Sequence, residues 1–306
     1  MRRESYPSAG GGEIRWYLWE PEGPAKGIVQ MVHGIAEHAG RYAAFGEYLA
    51  GNGWLAAAED HMGHGETVSE SCPRGCVRGG WDTMTADVHG LTLLLKERRP
   101  GLPVFLLGHS MGSFLARTFL YTYPAEGLRG AVLSGTAWQP EPVLAAGKLL
   151  TRREIKKQGA DEPSPKLQQL MFGAYGKQFP GETSPDAWIC SDPAVVARYG
   201  EDPLCGFVPS TGLVLAMLEG LGRNQRKENL AKMPDLPVLF IAGDRDPVGS
   251  CGRGVKQSSE AFRKAGLRDV SLKLYAGDRH EVLNEKDKAR VWADVLAWLE
   301  EKRKEG

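Results

Sequence analysis

What this chain lacks narrows it before any motif is read. It has no surplus of charge: Lys and Arg total 38, as do Asp and Glu, so the formal net charge is zero. A nucleic-acid binder needs a basic excess to face phosphate, and none is present. No apolar run approaches the roughly 20 residues of a membrane-spanning helix. The charged start Met1-Arg2-Arg3-Glu4 leads into no apolar stretch of the kind a signal peptide carries. Cysteine is scarce and odd in number, with Cys72, Cys76, Cys190, Cys205 and Cys251 scattered along the chain. Only Cys72 and Cys76 have ligand-like spacing, and no second pair completes a metal site. The expectation is free thiols in a reducing cytoplasm, with no cofactor and no metal. There is no internal repeat and no low-complexity tail. A chain of 306 residues buries roughly three quarters of its unfolded surface, enough for a core without cross-links.

What is present is an alternation of strand and helix. Glu13–Trp19, Gly27–Val32, Trp54–Ala58, Val104–Leu107 and Gly130–Gly135 read as strands, bounded by turn residues such as Pro21 to Pro24 and Gly51-Asn52-Gly53. Between them, Tyr42–Leu49, Thr83–Arg99 and Met111–Tyr123 carry helical spacing, and Pro100 and Pro124 stop the last two. Alternation of this kind means βαβ units and a parallel sheet. From about Thr136 to Lys232 the rhythm breaks into short helical pieces punctuated by nine prolines, then resumes. Val238–Ala242 and Val270–Tyr275 are expected strands, and Val255–Ala265 and Lys286–Lys304 expected helices. The predicted organisation is a core of residues 1–135 and 233–306, interrupted by an inserted helical cap at 136–232.

The chain turns around Gly108-His109-Ser110-Met111-Gly112. A buried strand that passes at once into a helix leaves no room for side chains flanking the turn, which is why a nucleophile elbow reads G-x-S-x-G. Serine needs a base to take its proton, and the base needs a third group to hold its tautomer. In this arrangement the order along the chain is serine, acid, histidine. His280 is the one histidine after Ser110. The acid should follow the strand ending at Ala242, where Asp244 and Asp246 both stand; Asp246, further from the strand and stiffened by Pro247, is favoured. Two N–H donors should face the oxyanion. Met111, at a helix start, offers one, and Ile35, after His33-Gly34, the other.

Together, His33-Gly34-Ile35-Ala36-Glu37-His38, Asp60-His61-Met62-Gly63-His64-Gly65, the Ser110 elbow, Gly243-Asp244-Arg245-Asp246 and His280 resemble the α/β-hydrolases of the monoacylglycerol lipase and lysophospholipase-like group. Asp202-Pro203-Leu204-Cys205-Gly206-Phe207, in the cap, resembles the same group. The resemblance implies an α/β-hydrolase fold, with a mostly parallel sheet, helices on both faces and a cap. It also implies ester hydrolysis through an acyl-enzyme, on a monoacylglycerol, lysophospholipid or similar medium-chain ester. It supports Asp246 as the acid and Ile35 as the second donor. It makes Gly34, Glu37, His38, Arg41 and His109 substrate-lining, although Glu37, His38 and Arg41 equally suit a solvated loop. One departure is the cap segment Val143–Leu150, a short apolar stretch trailed by Arg152, Arg153, Lys156 and Lys157. It suits weak contact with an anionic bilayer, or a charged helix end in water. Two rival functions stay open. A proline-releasing aminopeptidase needs a cap carboxylate for a free amino terminus, and Glu141, Asp161, Glu162, Glu182, Asp186 and Glu219 are available. A non-catalytic ligand receptor on the same fold would have no use for an activated serine.

Overall fold

The computed structural model describes residues 1–304. Eight strands form one sheet: β1 (Arg2–Pro7), β2 (Glu13–Trp19), β3 (Ile28–Val32), β4 (Leu55–Glu59), β5 (Val104–His109), β6 (Gly130–Ser134), β7 (Val238–Gly243) and β8 (Val270–Tyr275). Their order is β1-β2-β4-β3-β5-β6-β7-β8, antiparallel through β1, β2 and β4 and parallel beyond. Every residue of β3 to β7 is buried, as expected of parallel strands covered on both faces. Consecutive side chains point to opposite faces. Phe105 and Leu107 therefore pack with α1 (Ala43–Gly51) and α10 (Lys288–Lys304). Leu106 points the other way, among α2 (Gly80–Arg98), α3 (Met111–Thr122) and α9 (Arg253–Lys264).

Strand β1 was not expected. Its Arg2, Arg3 and Glu4 carry no apolar alternation, and its burial is partial. An edge strand held by backbone pairing to β2 leaves no such signature, and charge on an edge also discourages pairing with other chains.

Between β6 and β7 lie α4 (Glu141–Gln158), α5 (Pro165–Phe172), α6 (Pro193–Glu201), α7 (Thr211–Asn224) and the short α8 (Lys227–Leu230). The prolines that broke the sequence rhythm here are partly helix starters. Pro142, Pro165 and Pro193 occupy first turns, where a missing N–H costs nothing. Ser164, Asp192 and Ser210 cap α5, α6 and α7 by accepting from Leu167, Ala194 and Leu213. The five helices are not one layer. Leu144 of α4 and Leu213, Met217 and Leu221 of α7 belong to the same buried cluster as Phe114 and Leu115 of α3. Ile189, Cys190, Val195 and Val196 form a separate small cluster with Trp188 and Tyr199. The insertion thus has a base fused to the main core and a roof with its own core.

The sheet order places the site. From β3 the chain steps outward to β4, then returns to β5 on the other side, so the loops after β3 and β5 open in opposite directions from adjacent strands. Ligands of open α/β sheets bind at such a switch point, beyond the carboxyl ends of the strands. Val32 and Gly108 are register partners there, which brings the His33-Gly34-Ile35 loop against the Ser110 elbow.

Candidate active site

Ser110 sits between β5 and α3 with φ 52° and ψ −121°. This positive φ is strained for any residue with a side chain. The glycines on either side explain what holds it. A Cβ on Gly112 would lie 2.0 Å from the Val32 carbonyl oxygen, and one on Gly108 would lie 2.4 Å from that of Gly112. The turn is fixed further by the Ser110 N–H donating to Ser134 C=O at 2.9 Å and by the Ser113 hydroxyl donating to Ser110 C=O at 2.6 Å.

Beyond β7 and β8, two loops bring Asp246 and His280 together. His280 Nδ1 is 3.0 Å from Asp246 Oδ2, while Asp246 Oδ1 accepts from the Val248 N–H at 2.9 Å. Asp246 is fully buried. Burial by itself lowers the pKa of His280, but the Asp246 carboxylate, then Glu281 and Glu37, outweigh it and hold the imidazole above its ordinary value. His280 Nε2 is buried without a hydrogen-bond partner among the described residues. Asp244 does something else: exposed, it accepts the Gly277 N–H at 2.8 Å and closes the turn.

The loop after β3 is held from below. His33 Nδ1 lies 2.7 Å from Gly34 C=O, which fixes that peptide plane, and in a trans peptide the Ile35 N–H then points the opposite way. His33 is itself anchored, for its Nε2 accepts the His61 N–H at 3.0 Å and its ring lies 4.0 Å from that of His61. Burial, then His61 and His64, keep His33 neutral by driving its pKa well down. From the side, the Gly34 N–H donates to Glu37 Oε1 at 2.6 Å. Arg41 bridges Glu37 Oε2 at 2.7 Å and both carboxylate oxygens of Glu281 at 2.5 and 2.7 Å. One largely buried guanidinium therefore links the loop of Ile35 to the residue next to His280. Met111 opens α3, and its N–H, in the first turn, has no acceptor within the helix.

Gly34, Ile35, Glu37, His109, Ser110 and His280 line one cavity of about 80 Å³, closed over by Gln168, Phe172, Asp186, Trp188, Ile189 and Phe207 of the insertion. His38 does not join them; its Nε2 turns to Asp202 Oδ2 at 2.9 Å. Arg41 stands behind the cavity wall, in the ion network. His109, pushed down to about 4 by burial and by His280, is neutral and has Nδ1 3.1 Å from the Ser134 hydroxyl. Among the described residues, the group spaced as metal ligands is His38, Asp202 and Cys205, with ligand atoms within 4.8 Å. Burial raises the Cys205 thiol despite the nearby Arg41. A protonated thiol beside a guanidinium is a poor seat for a cation.

Residues 23–287 match the family model described as serine aminopeptidase, S33. The chain is 30% identical to a monoacylglycerol lipase of Mycolicibacterium smegmatis, over 96% of this chain and 95% of that one. It is 39% identical to the human monoglyceride lipase, over 93% and 86%. A thermostable carboxyl esterase of Bacillus coagulans, solved with glycerol, superposes with a TM-score of 0.92 at 31% identity, covering 99% and 98%. This chain is an S33-family α/β-hydrolase. It groups within that superfamily with the monoacylglycerol lipases.

In this S33 hydrolase the structure adds residues that no motif announced. Arg279, one position before His280, donates to the carbonyls of Ala187 at 2.5 Å and Cys190 at 3.2 Å, and to Glu182 at 2.6 Å. The Glu281 N–H donates to Ile189 C=O at 2.8 Å. Fully buried Glu285 accepts from the Ser191 N–H at 2.9 Å and the Ser191 hydroxyl at 2.5 Å. Residues 187–191 are thus strapped to the His280 loop, and the Trp188 ring lies 5.3 Å from that of His280. Nearly a hundred residues separate the two segments in sequence, so only the Arg-His-Glu cluster at 279–281 hinted at such a role.

Proposed function

We propose that this hydrolase cleaves carboxylic monoesters through an acyl-enzyme, with Ser110 as nucleophile, His280 as base and then acid, and Asp246 as the group orienting His280. The observation that carries this reading is a strained serine sharing one roofed cavity with an imidazole that is bonded to a buried carboxylate through Nδ1 and free at Nε2. His280 Nε2 takes the Ser110 proton as Oγ bonds to the carbonyl carbon. The Ile35 and Met111 N–H groups hold the resulting oxyanion. Collapse of the tetrahedral adduct expels the alcohol, which leaves with the proton from His280. A water, deprotonated by His280 in turn, then releases the acid. Apo geometry leaves the Ser110 and His280 pair loose, and such bonds tighten when substrate binds.

The substrates we assign are monoacylglycerol-type esters of short to medium chain, with residues 136–232 acting as the cap. The similarity to enzymes named for monoacylglycerol hydrolysis supports this, as does a cavity roofed by apolar side chains. Each buried methylene is worth about 0.8 kcal/mol, so butyryl esters should exceed acetyl esters in kcat/KM by up to about fifteenfold. Longer chains must part the aromatic roof. A fluorophosphonate probe should label the native protein and fail on Ser110→Ala; absence of native labelling would remove Ser110 as nucleophile. The aminopeptidase reading keeps one observation in its favour, since Asp186, alone among the carboxylates of residues 136–232, lines the cavity. Proline p-nitroanilide turned over faster than p-nitrophenyl butyrate would shift the assignment to it.

A further inference from the structure

The roof of the cavity is built mainly from apolar groups: Phe172, Trp188, Ile189 and Phe207. Set among them are two polar side chains, Gln168 and Asp186. Neither side chain has a hydrogen-bond or ion-pair partner among the described residues. The other carboxylates around the cavity are occupied, Glu37 by Gly34, Tyr42 and Arg41 and Glu281 by Arg41 and Asn284. Burial raises the Asp186 carboxyl above its ordinary value, and no neighbouring cation counters it. Asp186 is half-buried, so its carboxylate, unmet by any protein group, is available to a ligand that enters the cavity.

Its placement is also rigid. Asp186 immediately precedes the strap, where Ala187 and Cys190 accept from Arg279 and Ile189 accepts from the Glu281 N–H. Its own N–H donates to the Ser184 hydroxyl at 3.1 Å. The strap therefore holds residue 186 at the wall of the cavity that Ser110 shares.

We propose that Asp186, together with Gln168, is the specificity element that recognises free hydroxyl groups on the alcohol portion of the ester. The inference rests on the ester-hydrolase reading above and names the residue that selects within it. A vicinal diol donates to a carboxylate and both donates to and accepts from an amide, so it matches this pair. An ammonium group, with donors alone, matches Asp186 but leaves the Gln168 N–H groups unanswered. A simple alkyl alcohol leaves both unpaired, and sites built to bind a hydroxyl reject analogues that lack it.

The test compares glycerol monobutyrate, propyl butyrate and butyrylcholine, with p-nitrophenyl butyrate as the check on ester hydrolysis itself. The wild type should prefer glycerol monobutyrate to propyl butyrate by about tenfold to hundredfold in kcat/KM, the range of a hydrogen bond to a charged group. Asp186→Leu should collapse that ratio toward one, and Asp186→Asn, of the same shape, should lower it by less. A ratio near one in the wild type overturns the proposal even if no variant folds. A ratio unchanged in both variants, whatever their absolute rates, overturns it too. Butyrylcholine outrunning glycerol monobutyrate in the wild type would assign Asp186 to a cation and defeat the hydroxyl assignment. Failure to cleave p-nitrophenyl butyrate would instead defeat the ester-hydrolase reading beneath it.

Discussion

Asp244 and Asp246 are two residues apart and chemically identical, yet the fold separates them completely. Asp246 is buried against His280, whereas Asp244 closes an exposed turn on Gly277. Asp246→Asn should therefore lower kcat by on the order of ten-thousand-fold, because an amide there favours the wrong imidazole tautomer. Asp244→Asn should change the rate by less than about threefold and cost roughly 1 kcal/mol of stability, the worth of one hydrogen bond. Steady-state kinetics beside urea unfolding separates the two, and the reverse ranking would make Asp244 the orienting acid. At this scale much was legible, for serine, acid and histidine can be ordered along a chain without a structure. What was not legible was which polar residues face the cavity. His38 and Arg41 share a loop with Glu37, but the short helical turn Ala39–Tyr42 that follows points them to Asp202 and Glu281. Asp186 looked like any other carboxylate of residues 136–232, because facing inward depends on contacts with a segment far away in sequence.

At the scale of the element, the parallel strands and the helices between them were readable because both periodicities are strong. The edge strand β1 was not, since backbone pairing to β2 and the single buried ring of Tyr6, whose hydroxyl donates to Glu59, make it without any apolar alternation. Nor was the division of the insertion into base and roof, because α4 and α7 differ from α5 and α6 only in what they pack against. The contact of α7 with α2 shows how close that fusion is: a Cβ on Gly220 would lie 2.0 Å from the Trp81 ring. Gly220→Ala should destabilise the whole protein by on the order of 1–3 kcal/mol through overpacking. Gly200, in α6, would meet nothing with its Cβ, so Gly200→Ala should stabilise by roughly 0.4–1 kcal/mol through lost chain entropy and better helix propensity. Thermal unfolding of the two variants should therefore move in opposite directions. A Gly220→Ala protein as stable as the parent would mean that the base of the insertion is not joined to the core in this way.

Across the whole molecule, protonation pulls activity and stability to different places. His280 is held above its ordinary value, so the share of neutral base, and kcat/KM with it, should rise with pH through a midpoint above about 6.5. The stability His280 contributes runs the other way, complete below its unfolded pKa and lost as pH climbs through the folded one. His33, His64 and His109 are the reverse, since burial above all lowers them, His64 to about 3 and His109 to about 4. Their neutral forms are what the fold accommodates. Stability should be full above about pH 6.5 and fall toward pH 4, by up to about 1.4 kcal/mol per pH unit for each histidine. Urea midpoints at pH 7, 6 and 5 measure this, and a flat profile would show that these rings are not held neutral. Acid should thus loosen the loop of Ile35, which His33 supports, as well as protonate His280. The strap of residues 187–191 has a consequence for how such an enzyme can diversify. Arg279 and the Glu281 N–H grip it by its carbonyls, which every amino acid supplies, so the grip is indifferent to much of the strap's own sequence. Positions 186 and 188 can then drift, or be redesigned by hand, while the machinery beneath stays in tune: the enzyme carries an interchangeable die on a fixed press.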